Sequence, residues 1–146
     1  MSLKILASLI ILIAVVAHAT KRQQRIAENR EKEFWARERK ANSVRKKPLD
    51  DLDYVKIPMD ALPDNERAEE SRSLLTSLST QPIVNLTGFT NTDLKLEYGT
   101  ANITPLSQYD QNYTVLVRTL QQWADLLLDS GLTDDAETVL AYAVSI

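Results

Sequence analysis

Apolar residues follow three different patterns along this chain. From Ile5 to Ala17 they are continuous except at Ser8, and no charge falls between Lys4 and Lys21. From 21 to 47 they are sparse and set among charges. From 105 to 146 they return at three- and four-residue steps. The three patterns predict an all-round apolar helix, a polar helix and an amphipathic pair. A mainly α fold follows: an N-terminal transmembrane helix continuing into a basic helical stalk, then a small α-helical domain ending in an antiparallel hairpin.

Residues 1–20 form the expected transmembrane anchor. Leu3–Thr20 as a helix covers about 27 Å against a hydrocarbon core of about 30 Å. Local thinning accommodates a short span, and Lys4 can snorkel to the headgroups. A soluble domain would have to surround such a helix completely, because every face is apolar. A second reading is a cleavable signal, with Lys4 as its basic start and Ala17-His18-Ala19 as a small-x-small cleavage site. Lys21, Arg22 and Arg25 follow at once and resist translocation. The positive-inside rule then places the N-terminus outside and the C-terminal part in the cytoplasm of a single-pass, bacterial-type cell-membrane protein. His18 reads as an interfacial polar residue, since the span has no acidic partner for it.

Residues 21–47, KRQQRIAENREKEFWARERKANSVRKK, contain no Gly or Pro and are rich in helix formers. Glu28–Lys32 and Glu33–Arg37 support the helix at i,i+4 in the favourable order. It should leave the membrane and continue to about Asn42, with Pro48 closing the segment. Ile26, Phe34 and Ala41 fall loosely on one side without a sustained heptad, so no coiled coil is predicted. The segment reads as a topogenic signal and a solvated spacer. Lys21, Arg22 and Arg25 are its candidate membrane-surface contacts, with Phe34 and Trp35 as interfacial aromatics. Basic residues beside aromatics also suit a phosphate backbone, but four interspersed glutamates dilute the field and weigh against nucleic acid.

Residues 48–63 read as a Pro/Asp-rich extended linker. Tyr54, Val55 and Ile57 suit a short strand or a peptide laid in a groove. Asp51 and Asp53 alone are too few for a metal site. Residues 64–146 are predicted to form a small acidic helical domain. Asp64 is a candidate N-cap, followed by Glu66 and Arg67. Leu74, Leu75 and Leu78 give an apolar patch, and Gln81-Pro82 a stop. Ile83–Leu86 suits a strand or a buried connection. A small helix is expected over 91–98, with Thr92 as its cap and Gly99 as its stop.

The hairpin spans 105–146. Pro105 can open its first helix, in which Tyr109, Tyr113, Leu116, Leu120, Trp123, Ala124, Leu127 and Leu128 recur at helical steps. Gly131 ends that helix and Thr133 can cap the next, where Ala136, Val139, Leu140, Ala143 and Val144 supply the second apolar face. Ala124, Gly131, Ala136 and Ala143 lie 7, 5 and 7 residues apart. With Leu120, Trp123, Leu127 and Leu140 at the large apolar positions, residues 117–146 resemble one tetratricopeptide repeat, a helix–turn–helix of about 34 residues. Ala124 stands where the family favours glycine, and Leu127 where it favours tyrosine. Such arrays need about three repeats to bury their faces, so this hairpin is expected to be covered by an upstream segment, by another protein or by further repeats of a longer array. Asp53–Leu62 is the upstream candidate, lying across it as an internal peptide ligand. The resemblance implies a protein partner and a scaffolding role; it carries over no ligand residues.

Charge sharpens this division. The net charge of −3 hides twelve basic against four acidic residues in 1–47, a net of +8. Residues 48–146 hold five basic and sixteen acidic residues, a net of −11. With no cysteine and one histidine, there is no disulfide framework, thiolate nucleophile or histidine metal cluster. No nucleophile elbow, phosphate-binding loop or dinucleotide fingerprint occurs, so no catalytic activity, cofactor or metal is expected. Asn85, Asn102 and Asn112 begin N-x-Thr triplets, but the flanking charge keeps this half cytoplasmic. The function expected is a membrane-anchored recruitment or scaffold module whose partners are the lipid bilayer and a protein. The alternative is a secreted or periplasmic binding module released by cleavage after Ala19.

Overall fold

The computed structural model describes residues 3–65 and 68–146, with the side chains of all of these except Leu3, Lys4 and Leu6. The chain is mainly helical. Its helices are α1 (Leu3–Asn42), α2 (Glu69–Leu78), α3 (Asn91–Tyr98), α4 (Ile103–Asp129) and α5 (Thr133–Ser145). A 3-10 turn at Thr100–Asn102 joins α3 to α4. Among the described residues strand pairing is limited to one antiparallel bridge, Tyr54 with Val84.

α1 runs for 40 residues without a break, about 60 Å. No Gly or Pro interrupts it, and it ends where the Ser43 and Val44 amides turn back to the carbonyls of Lys40 and Ala41. Among the described residues no helix is long and apolar enough to cross a membrane. The charge-free run whose side chains are all described, residues 7–20, covers only about 21 Å of the ~30 Å core. The longer span expected over 1–20 draws on Leu3, Lys4 and Leu6, whose side chains lie outside the described ones, as does the snorkelling of Lys4. Met1 and Ser2 lie outside them altogether. The fold therefore establishes a continuous helix here and leaves a spanning one unsupported.

α4 is the spine of the C-terminal part and carries two cores. Leu116, Leu120, Trp123, Ala124 and Leu127 meet Leu75 and Leu78 of α2, Ala136 and Val139 of α5, and Leu62, Ala68 and Ile83. Nearly three turns before Leu116, Leu106 packs with Val84, Leu86 and Leu94, backed by Leu52, Tyr54, Tyr98 and Tyr109. Ile83 and Val84 thus point into different cores, as consecutive residues of an extended segment do. Asn112 sits near the junction, buried, with Nδ2 donating to the Pro82 carbonyl at 2.8 Å. Each fully buried Leu or Val contributes about 1.5–3 kcal/mol.

The turn between α4 and α5 is a Schellman motif. The Leu132 amide donates to Leu127 O and the Gly131 amide to Leu128 O, both at 2.9 Å. Gly131 has φ +75°, the left-handed conformation this cap requires.

Several helix starts differ from the pattern-based expectation. α2 begins at Glu69 after Ala68, with no side-chain cap. Asp64 instead faces Arg72 at 3.6 Å, and Arg72 donates to the Leu62 and Pro63 carbonyls. Leu62 and Ala68 both reach the core; Glu66 and Arg67 lie outside the described residues. Thr90, not Thr92, caps α3, because Asp93 stands three residues on and closes a capping box. α4 opens at Ile103, two residues before Pro105, which the first turn tolerates because its amides need no helical partner. Thr133 is the first residue of α5 and Leu132 its cap, held by the Schellman turn and packed on the core.

Residues 48–63 form no helix or sheet, yet they are fastened. Val55, Ile57, Met59 and Leu62 pack on the α4–α5 core. The Val55 amide donates to Ile83 O at 2.9 Å, and Tyr142 Oη donates to the Lys56 carbonyl at 3.2 Å. This strap covers the inner face of the hairpin, which a lone helical pair cannot bury by itself.

Candidate functional site

The first third of α1 is the most apolar surface of the molecule. Ile10, Ile11, Leu12 and Ile13 occupy four successive helix directions, about 100° apart, and each is 59–63% exposed. Ile5, Leu9, Val15 and Val16 are similarly open. A concave surface of about 720 Å³ is a crease along this helix between Ile11 and Ile26. Its lining comes from one helix alone, so it has a floor but no enclosing walls.

Lys21, Arg22 and Arg25 follow, all exposed. Phe34 and Trp35 are exposed too, in an edge-to-face contact with centroids 5.2 Å apart. Trp35 lies about 21 Å along the axis from Lys21, whereas one headgroup layer is roughly 5–8 Å deep. The aromatics and the leading cations meet one bilayer surface together only if the helix lies along that surface.

The end of α1 is locked to α3 by long-range contacts. Arg37 pairs with Asp93, and Lys95 Nζ pairs with Glu38. Thr92 Oγ1 donates to the other Glu38 oxygen at 2.7 Å. Hydrogen bonds from Lys95 and then Thr92 hold the Glu38 carboxyl below its ordinary range. Thr90, through hydroxyl and amide, and then Arg37 do the same for Asp93. Ala41 is fully buried, and beyond it the chain crosses directly over Gly99. Asn102 Nδ2 then donates to the Lys47 and Tyr98 carbonyls at 2.8 and 2.7 Å. Stalk and domain are one joined body at this end.

On the hairpin, Leu120, Trp123, Ala124, Leu127 and Ala136 are buried and in mutual contact. Gly131 makes the turn, and Ala143 packs half-buried on the same core. Leu140 does not join them. It is 40% exposed, because the inward stripe of α5 runs Ala136, Val139, Ala143, and Leu140 stands one residue round from it. Leu140 instead lines an outward hollow of about 450 Å³ with Leu128, Thr133, Glu137, Ala141 and Val144. Leu128 and Val144, expected on the inner faces, are also outside.

No family model, curated protein or solved structure matches this chain. What it can do chemically is then set by these surfaces. Among the described residues no group of three or more His, Cys, Asp or Glu could hold a metal ion. Of the three N-x-Thr asparagines, Asn102 and Asn112 are buried in hydrogen bonds, and Asn85 alone is exposed. The stalk–domain joint has no local signature: Glu38 and Lys95 are 57 residues apart. The outward hollow was missed for a different reason. Leu128, Leu140 and Val144 fit a helical apolar pattern as well as their buried neighbours do, and periodicity cannot say which stripe of two finds a partner.

Proposed function

We propose that this protein is a membrane-anchored protein-interaction module that holds a small acidic domain off the cytoplasmic face of a cell membrane. The observation that carries this is the exposure of the apolar third of α1 on every side of the helix. Eight large apolar side chains between Ile5 and Val16 surround the helix, and among the described residues no other element covers them. At about 25 cal/mol per Å² of apolar area, that surface demands a hydrocarbon environment. With Leu3 and Leu6 included the run reaches about 27 Å, a short span that a thinned bilayer accepts. The cations from Lys21 to Arg25 then stop at the headgroups and fix the C-terminal side in the cytoplasm.

Below the joint with α3, the stalk from Lys21 to about Arg37 is a bare helix of roughly 24 Å. It spaces a domain of opposite charge from an anionic surface. The hairpin, similar to one tetratricopeptide repeat, has its inner face filled by the strap, so a protein partner is met on the outer face. The module recruits or positions that partner and carries no catalytic step of its own. Release after Ala19 is the competing reading; the unbroken helix through Ala17, His18 and Ala19 offers a peptidase no extended segment there.

Alkaline carbonate extraction of membranes from expressing cells tests the anchor. The full-length chain should stay in the pellet with Met1 or Ser2 as its first residue. Soluble protein beginning at Thr20 would establish the secreted reading instead.

A further inference from the structure

The outward hollow of the hairpin is apolar at its centre and acidic around its edge. Leu128, Leu140, Ala141 and Val144 give the centre, and Glu137 lines it. Asp125 and Asp134, exposed, stand one helical turn from Leu128 and one turn before Glu137 and Thr138. Among the described residues none of these three acids takes part in an ion pair. Such a surface suits a helix that presents a small apolar or aromatic stripe within a basic face.

The chain carries such a helix and keeps it away from its own hollow. Arg37, Glu38 and Ala41 mark the side of α1 that docks on the domain. Lys21, Arg25, Lys32 and Arg39 fall within about 40° of one another, on a line roughly 170° from that side. Glu28 lies on the same line beside Lys32, which leaves it with a net charge of +3. Ala36 and Trp35 flank this mainly basic line, and all seven residues are exposed. Because α1 is unbroken and locked to α3, this face cannot fold back onto the hairpin of the same molecule.

We propose that the hollow formed by Leu128, Leu140 and Val144 receives the basic outer face of the stalk, around Trp35 and Ala36, from a second copy of this chain. The inference rests on the anchored-module reading and names its partner. Two copies standing side by side in one membrane, related by an axis along its normal, can each supply a stalk to the other's hollow. Confinement to one bilayer with the same orientation raises their effective concentration. The charge segregation of the sequence then acts between molecules, basic stalk against acidic hairpin.

The natural absence of cysteine makes the test clean. Two forms of the full chain, one with Ala36→Cys and one with Ala141→Cys, are reconstituted together in phosphatidylcholine vesicles, floated and mildly oxidised. The mixed disulfide between positions 36 and 141 should exceed either self-pair about ten-fold and fall several-fold between about 0.05 and 0.5 M NaCl. Reversing two edge charges with Asp125→Lys and Glu137→Lys should remove the excess, and these exposed sites leave the core untouched. Floating protein without the mixed product, or with the self-pair of the Ala36→Cys form predominant, overturns the pairing and leaves the anchor standing. A mixed product indifferent to salt and to charge reversal also overturns it. Protein that fails to float overturns the anchor, and the same disulfide ratio read in solution still decides the pairing.

Discussion

The first third of α1 and the middle of α4 use the same side chains to opposite ends. Ile10 to Ile13 point all round their helix and are about 60% exposed. Leu116, Leu120, Trp123 and Leu127 form one stripe and are 0% exposed. α4 alternates apolar and polar positions, so it needs apolar cover on one side and finds it in α2, α5 and the strap. The start of α1 has no polar side, and among the described residues nothing folds against it. An amphipathic helix is completed by its own molecule; a helix that is apolar all round is completed only by what surrounds the molecule.

If the two regions are independent, each can be broken without the other. The largest effect should come from Trp123→Ala. Trp123 is the largest fully buried side chain and touches the centre of the larger core. Truncation should cost about 3–5 kcal/mol, partly offset because its buried Nε1 has no hydrogen-bond partner among the described residues. Chemical denaturation of the chain in mild detergent reads this cost, and flotation with vesicles should be unchanged. Loss of both together would show that the helix and the domain are not separate in stability.

Ile11→Asp is the complementary break. A charged carboxylate in the middle of the apolar run should cost about 3 kcal/mol of insertion. That is roughly a 100-fold shift from membrane to soluble fraction. The denaturation midpoint of the domain should not move. An unaltered membrane fraction would mean that this face of α1 does not meet hydrocarbon.

Gly99→Ala strikes the joint between the two regions. Gly99 has φ +88°, and a Cβ there would lie 2.3 Å from the Arg45 carbonyl oxygen. The atoms it would meet, in Arg45 and Lys46, are all backbone, so the 43–48 crossing would have to lift, and the Asn102 bridge to Lys47 with it. The cost should be about 1–3 kcal/mol, concentrated in α3 and the end of α1. Hydrogen exchange should show those amides opening while the α4–α5 core stays protected. A uniform loss across the domain would mean the joint is part of the core's cooperative unit.

These sites also show what was legible from sequence. The helical class, the end of α1 at Asn42, the α4–α5 turn and the stop at Gly99 were readable, because each rests on local chemistry: absent Gly and Pro, a C-terminal glycine, a repeating stripe. Burial of Leu120, Trp123, Ala124, Leu127 and Ala136 was readable for the same reason. Helix starts were not, since Asp64, Thr90, Thr92 and Thr133 are all chemically fit caps, and tertiary contacts decide which is used. Leu140 was misassigned because helical steps place it 100° from Val139, within the width of one apolar face. The Glu38–Lys95 and Arg37–Asp93 pairs were invisible, being contacts between distant, individually ordinary charges. The apolar run from Ile5 to Ala17 was visible at once, because only Ser8 interrupts it.

The smallest predicted effect is the pH response of the joint. Glu38 and Asp93 both have carboxyl pKa values lowered from their ordinary 4.5 and 3.8, by Lys95 and Thr92 in one case and by Thr90 and Arg37 in the other. A lowered value means that the folded state holds these groups ionised more firmly than the unfolded chain does. Below their ordinary range the unfolded chain therefore binds more protons, and stability rises with pH through that window. Their contribution is fully present near neutrality and is lost as pH falls through about 4 and below. Other carboxylates titrate in the same range, so the joint must be isolated by difference. The thermal midpoint of the Glu38→Gln, Asp93→Asn protein should decline less steeply between pH 6 and pH 3 than that of the unaltered chain. The gap should be greatest at pH 6 and should shrink with added salt, because all four partners are at least partly exposed. Parallel slopes would mean that these pairs hold their geometry without contributing to stability, and that buried Ala41 and the Gly99 crossing alone join the stalk to the domain.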